Sequence, residues 1–179
     1  AEQFYFNMAD NAVIKRTPRN SFDLMFDCGA GKFNIWLNGA KMMGVKYTGR
    51  TELDSVTLAD TLGGVWHYDF GAFDPDSSAI GQWWNNGTLP QPVSAGQVYI
   101  IHLGVDANGY GLGYVKMKVN NYSAGAYSIT FSDFINTPVI KIISKDDTRN
   151  YKYLSFANGG QEVDAEPPKN QWDLCFTRY

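Results

Sequence analysis

The sequence predicts an all-β, antiparallel fold, on three observations. Apolar and polar residues alternate at a period of two over several runs. Glycine-rich turns stand between those runs. Tyr, Phe and Trp make up 15% of the chain, and such side chains suit the pleated, half-buried surface of a sheet better than a helix.

The elements follow in order. Phe4-Tyr5-Phe6 opens a strand over 4–8. Phe22, Leu24 and Phe26 alternate with Asp23, Met25 and Asp27, which predicts a strand over 22–28. Cys28-Gly29-Ala30-Gly31 is a hairpin connection to a strand over 32–38, with Phe33, Ile35 and Leu37 on one face. Thr51-Glu52-Leu53-Asp54 has capping-box spacing and predicts one helical turn. The run 98–103 is apolar on both faces, as a central strand is. The turn Asp106-Ala107-Asn108-Gly109 leads to 113–119, with Val115, Met117 and Val119 inside and Lys116 and Lys118 outside. A strand over 126–132 completes a three-strand meander.

Residues 4–26 recur, without a gap, as 154–176, 150 positions on. Phe6, Val13, Pro18, Asn20, Asp23, Leu24 and Phe26 meet Phe156, Val163, Pro168, Asn170, Asp173, Leu174 and Phe176. That period is domain-sized rather than solenoid-sized. It gives a domain over 1–145, a polar linker over 146–150 and the first strands of a second copy over 151–179. Two other readings stand beside it: a chance echo of two aromatic strands, or a tail that pairs into the first domain's sheet. Asp23 and Asp173 repeat at one place in each copy, which suits carboxylates that bond backbone donors at a sheet end.

A net charge of −3 with no basic stripe argues against a nucleic-acid partner. No run reaches the roughly 18–20 apolar residues of a spanning helix. The start Ala1-Glu2-Gln3 has no basic or apolar leader, so any signal peptide has been removed or was never present. G-x-S-x-G, P-loop and H-E-x-x-H motifs are all missing, so no catalytic residue is assigned and the chain is not read as an enzyme. No C-x-x-C or His/Cys cluster indicates a metal site. Cys28 and Cys175 read as free thiols, or as a bridge in an exported protein. Asp74-Pro75-Asp76 reads as a turn.

Binding residues are sought in the aromatic excursion between Trp66 and Pro92. It carries Trp66, Tyr68, Phe70, Phe73, Trp83 and Trp84, which either form a contact surface or fold back over the core. His67 among these rings is an iron ligand, a stacking partner or an exposed loop residue. Met42 and Met43 are thioethers that ligate iron or fill a core. His102 reads as a satisfied core histidine.

Several of these elements together resemble the HmuY-type haem-binding lipoproteins of Gram-negative bacteria. The residues are the opening strand Tyr153-Leu154-Ser155-Phe156, the strand Trp172-Asp173-Leu174-Cys175-Phe176-Thr177-Arg178-Tyr179, and Gly49-Arg50-Thr51-Glu52-Leu53-Asp54. Phe4-Tyr5-Phe6 and Phe22-Asp23-Leu24-Met25-Phe26 are the first-copy equivalents, and the strand pair 98–103 and 113–119 fits the family's closing meander. The resemblance implies an all-β HmuY-like sheet domain, export, and lipid anchoring at the outer membrane through a residue outside this chain. It also implies binding rather than catalysis, with haem held between His or Met side chains. His67, with Met42 or Met43 opposite, is then the candidate pair. The alternative is an accessory subunit of an outer-membrane transport or secretion complex that binds protein or glycan. An outer-membrane transporter or other surface protein is the expected partner. Ser55 and Thr61 fit a short D-[ST]-apolar O-glycosylation pattern used in such bacteria.

Overall fold

A computed structural model describes residues 2–69, 78–85 and 91–177. Its strands are β1 Glu2–Asn7, β2 Ala12–Pro18, β3 Leu24–Asp27, β4 Ile35–Leu37, β5 Gly44–Tyr47, β6 His67–Tyr68, β7 Trp84–Asn85 and β8 Val93–Ser94. They continue as β9 Val98–His102, β10 Tyr114–Ser123, β11 Ala126–Ser132, β12 Val139–Ser144, β13 Tyr151–Ser155, β14 Gln161–Val163 and β15 Leu174–Phe176. Every pairing is antiparallel, and the helical segments among the described residues are short 3-10 turns. The fold is all-β, as the sequence predicts. No helix among the described residues is long and apolar enough to cross a membrane.

Three sheets stack in layers. The six-stranded sheet has the order β12-β11-β10-β9-β5-β6, the four-stranded sheet β14-β13-β3-β4, and the three-stranded sheet β15-β1-β2. β7 and β8 form a two-stranded ribbon. The six-stranded sheet lays Val45, Ile101, Met117, Tyr127 and Ile129 against Leu24, Phe26, Ile35, Leu37 and Leu154 of the four-stranded sheet, and these residues are the main core. The other face of the four-stranded sheet carries Met25, Tyr151 and Tyr153, which pack with Phe22 and Ala165. Tyr5 of the three-stranded sheet closes on that layer through Tyr153.

The expected meander is present and longer than the alternation shows. β9 is central, between β10 and β5, and β12 adds a strand beyond β11. Ala124 and Gly125, both at positive φ, make the tight β10–β11 turn whose twist suits a hairpin. The capping box lies elsewhere than expected. Glu52 caps nothing with its side chain, whereas Thr57 and Asp60 form a reciprocal box at the turn Leu58–Thr61. Arg50 grips the Asp60 carboxylate with two nitrogens, each at 2.9 Å. Lys116 and Lys118, on the outer face of β10, donate to the carbonyls of Leu53, Val56 and Thr51. The Gly49–Asp54 segment thus belongs to a loop pinned over the six-stranded sheet, with Val56 buried beneath it.

The recurring segments are exchanged. β13 pairs with β3, and β15 pairs with β1. Each repeat therefore gives its opening strand to the other repeat's third strand, so 151–177 and 2–27 are interwoven. Matching contacts mark the relation. Phe22 sits edge-on to Tyr153 and Trp172 edge-on to Tyr5, both at 4.8 Å and 72°. Asp23 accepts from the Phe156 N–H and Asp173 from the Met8 N–H, both at 2.7 Å. The repeated aspartates do bond backbone donors.

The gap-free alignment is corrected by this geometry. The Tyr5 and Tyr153 hydroxyls meet at 3.3 Å and the Thr17 hydroxyl donates to the Ala165 carbonyl, so in the hairpins equivalent residues are 148 apart. The turns that follow, Ser21 N–H to Pro18 O and Gln171 N–H to Pro168 O, are 150 apart. Glu166-Pro167 is the insertion. Glu166 is buried and accepts from the Asn150 and Tyr151 N–H groups, the Asn150 amide and the Tyr153 hydroxyl. Residues 146–150, expected as a linker, are a turn bonded into the sheets. Cys28 N–H donates to Asn150 O and Lys169 N–H to Thr148 O. Cys28 and Cys175 are both free.

Candidate functional site

The edge of the six-stranded sheet assembles the rings that the sequence singled out, together with some that it did not. β6 adds to β5 with Val45 opposite His67 and Gly44 opposite Tyr68. Gly44 is also opposite His102, which is opposite Tyr114. Tyr68, Gly44, His102 and Tyr114 therefore form one row across four strands, on the face away from the main core. The glycine is required there. A Cβ on residue 44 would come within 2.7 Å of Tyr68 Cε1, so the bare backbone is the floor on which that ring lies.

Trp66 completes the group. Its ring is 6.2 Å from His102 and 6.0 Å from Tyr114, while His102 and Tyr114 stand edge-on at 5.1 Å. Lys46 Nζ lies 6.0 Å from the Trp66 ring and donates to the Asp60, Leu62 and Gly63 carbonyls, which tethers the loop beside it. Tyr68 is 43% exposed and Trp66, His102 and Tyr114 are half-buried. His102 is not a core residue as expected, though it is satisfied. Its Nδ1 accepts from the Gly104 N–H, and the Met42 carbonyl takes its other hydrogen bond. Burial pushes its pKa down, against the opposing pull of the Met42 carbonyl.

The candidate iron ligands are held in three environments. Met43 lies wholly inside the main core, so its sulfur is a core filler rather than an exposed ligand. Met42 is 57% exposed, at positive φ, after the turn Gly39–Lys41. His67 shares the core-side face with Val45 and stacks on Tyr47 at 4.6 Å and 16°. Tyr47 is anchored in turn by its hydroxyl on the Ala79 carbonyl. His67 is thus held against Tyr47, Met43 is enclosed in the core and Met42 is exposed.

The tryptophan pair divides likewise. Trp83 is core, with its indole N–H on the Phe33 carbonyl at 2.7 Å, so of the two readings this ring folds back over the core and is not part of a contact surface. Trp84 is half-buried against Phe33 and Trp83. Phe70, Phe73 and Asp74-Pro75-Asp76 lie outside the described residues. Ser55 and Thr61 sit on the pinned loop, with hydroxyls on the Glu52 and Leu58 carbonyls.

A concavity of about 790 Å³ is lined by Leu103, Tyr114, Phe131, Val139 and Phe156. Lys41 and Asp23, a buried ion pair, line it. The Asp23 carboxylate also accepts from the Ser155 hydroxyl, so this cluster is a clasp between β3, β13 and the segment after β4. The sequence signal for it was the repetition of Asp23; nothing marked Lys41. For the aromatic row, the missing signal was Tyr114, whose place beside His102 depends on strand register. Among the described residues no group of three His, Cys, Asp or Glu side chains could hold a metal ion.

No protein-family model matches this chain, and neither does any curated protein or solved structure.

Proposed function

We propose that this chain is a non-catalytic binding module of the outer membrane of a Gram-negative cell, serving a transport or secretion complex as an accessory subunit. It engages a surface protein or glycan through Trp66, Tyr68, His102 and Tyr114. One observation carries the reading: four rings share one sheet face, partly in water, over a glycine floor. Half-wet aromatic clusters of this kind mark contact surfaces, and their rings supply most of the binding energy. The motifs shared with HmuY-type lipoproteins support export and a lipid anchor. Haem binding is the second reading, favoured by the same motifs and by the exposed Met42 thioether.

Two measurements separate the readings. In binding of the purified chain to outer-membrane preparations, Trp66→Ala with Tyr68→Ala should weaken attachment by about tenfold or more with the fold intact. Haem titration should show no Soret band that depends on His67 or Met42. Unchanged attachment in the double variant contradicts the aromatic surface. A Soret band lost in His67→Ala establishes the haem reading in its place.

A further inference from the structure

The exchange of strands between the repeats leaves one half of the molecule without a cover that the other half has. In the four-stranded sheet, Leu24, Phe26 and Leu154 point at the six-stranded sheet and are buried. Their counterparts by the reciprocal contacts are Leu174, Phe176 and Phe6 in the three-stranded sheet. Tyr5 and Cys175 are register partners, and Tyr5 faces inward onto Tyr153 and Trp172, so Phe4, Phe6, Leu174 and Phe176 face outward. Leu174 is 42% exposed and Phe176 46%. Phe4 stacks on Phe176 at 5.0 Å, with Val13, also exposed, opposite Phe6.

The free edge tells the same story. Among the described residues, β3 is paired on both sides, by β13 and β4, whereas β15 is paired by β1 alone and ends its sheet. An edge strand with apolar side chains and unused backbone groups is a template for another strand. Two polar groups point the same way. Asp23 holds Lys41, contributed after β4, while Asp173 has its backbone contact to Met8 and no ion-pair partner among the described residues. The buried Trp172 indole N–H has no acceptor among the described residues. At the matching position, the segment after β4 brings the Asn38 side chain to the carbonyls of Phe22 and Arg19.

We propose that the outer face of the three-stranded sheet and the free edge of β15 seat a second unit like β4–β12, carried by the same polypeptide beyond Tyr179. Its first strand would pair with β15 as Ile35–Leu37 pairs with β3, and its sheet would cover Leu174 and Phe176 as the first covers Leu24 and Phe26. The cis connection is favoured by order and reach. β4 starts eight residues after β3 ends, so a link that short delivers the cover directly. A second copy of this chain fits poorly, because its own six-stranded sheet is already seated on its own β3 and β13. The proposal is independent of the binding role above.

The test uses the native polypeptide from its source cell beside the 1–179 chain. Intact mass should show residues beyond Tyr179 in number comparable with β4–β12. Hydrogen exchange of Leu174–Phe176 should slow by about a hundredfold or more relative to the 1–179 chain, at all protein concentrations. A native chain that ends near Tyr179, or amides equally fast in both proteins, overturns the proposal. Protection that appears only in a dimer also overturns it, and assigns the face to a second chain.

Discussion

Strands β3 and β15 share the sequence pattern Asp-Leu-x-Phe and differ in what surrounds them. Leu24 and Phe26 are fully buried, while Leu174 and Phe176 keep close to half of their surface. Both strands accept an opening strand from the other repeat, and both are preceded by an aspartate that accepts from the backbone N–H just past that opening strand. The alternating pattern decides which face of a strand is apolar. Whether that face becomes core depends on the next hundred residues, which cover β3 and not β15.

The largest expected effect breaks the comparison at the buried side. Phe26→Ala should cost about 3–5 kcal/mol in denaturant unfolding, as truncation in a closed core does. In the same 1–179 chain, Phe176→Ala should cost under about 1 kcal/mol, because much of the ring is already in water. Equal losses would mean that the two faces are equally covered.

Next comes the clasp. Lys41→Met leaves the Asp23 carboxylate buried without its cation, and about 3 kcal/mol should be lost. Asp173→Ala removes only a cap on Met8, worth about 1 kcal/mol. Gly44→Ala sharpens the site rather than the repeat. Its Cβ displaces Tyr68, so attachment to the partner should fall more than stability, with about 1–3 kcal/mol lost from the fold.

The smallest effect is one of pH. Burial holds the Glu166 carboxyl above its ordinary 4.5, against the opposing pull of its hydrogen bonds from Asn150, Tyr151 and Tyr153. The folded chain therefore binds this proton more tightly than the unfolded chain. The stabilisation is fully present below 4.5 and is lost as pH rises through the raised value. Thermal midpoints of Glu166→Gln should lack that downward slope. An identical slope in both proteins would take Glu166 out of it.

Much of the fold was legible because alternation is local. β3, β9, β10 and β11 lie within a few residues of the runs that predict them. β2, β12 and the short β5–β8 were not legible. β2 and β12 carry exposed apolar residues such as Val13, Ile14, Ile140 and Ile142, so their alternation is blurred. The site was half-legible. Trp66 and Tyr68 stand out in composition, but Tyr114 joins them through the register of β6, β5, β9 and β10, which no local pattern encodes. Met43 and Met42 are neighbours of one type, and the left-handed turn at Met42 sends one into water and the other into the core. The repeat was visible, but its exchange was not, since a strand's sequence does not name its partner.

That exchange is tested most directly by cross-strand backbone proton contacts in the 1–179 chain by NMR. Expected are contacts between Tyr5 and Cys175 and between Tyr153 and Met25, the register partners of β1 with β15 and of β13 with β3. Contacts of β1 with β3 instead, or none from residues 174–176, would contradict the interwoven repeat and the uncovered face that follows from it.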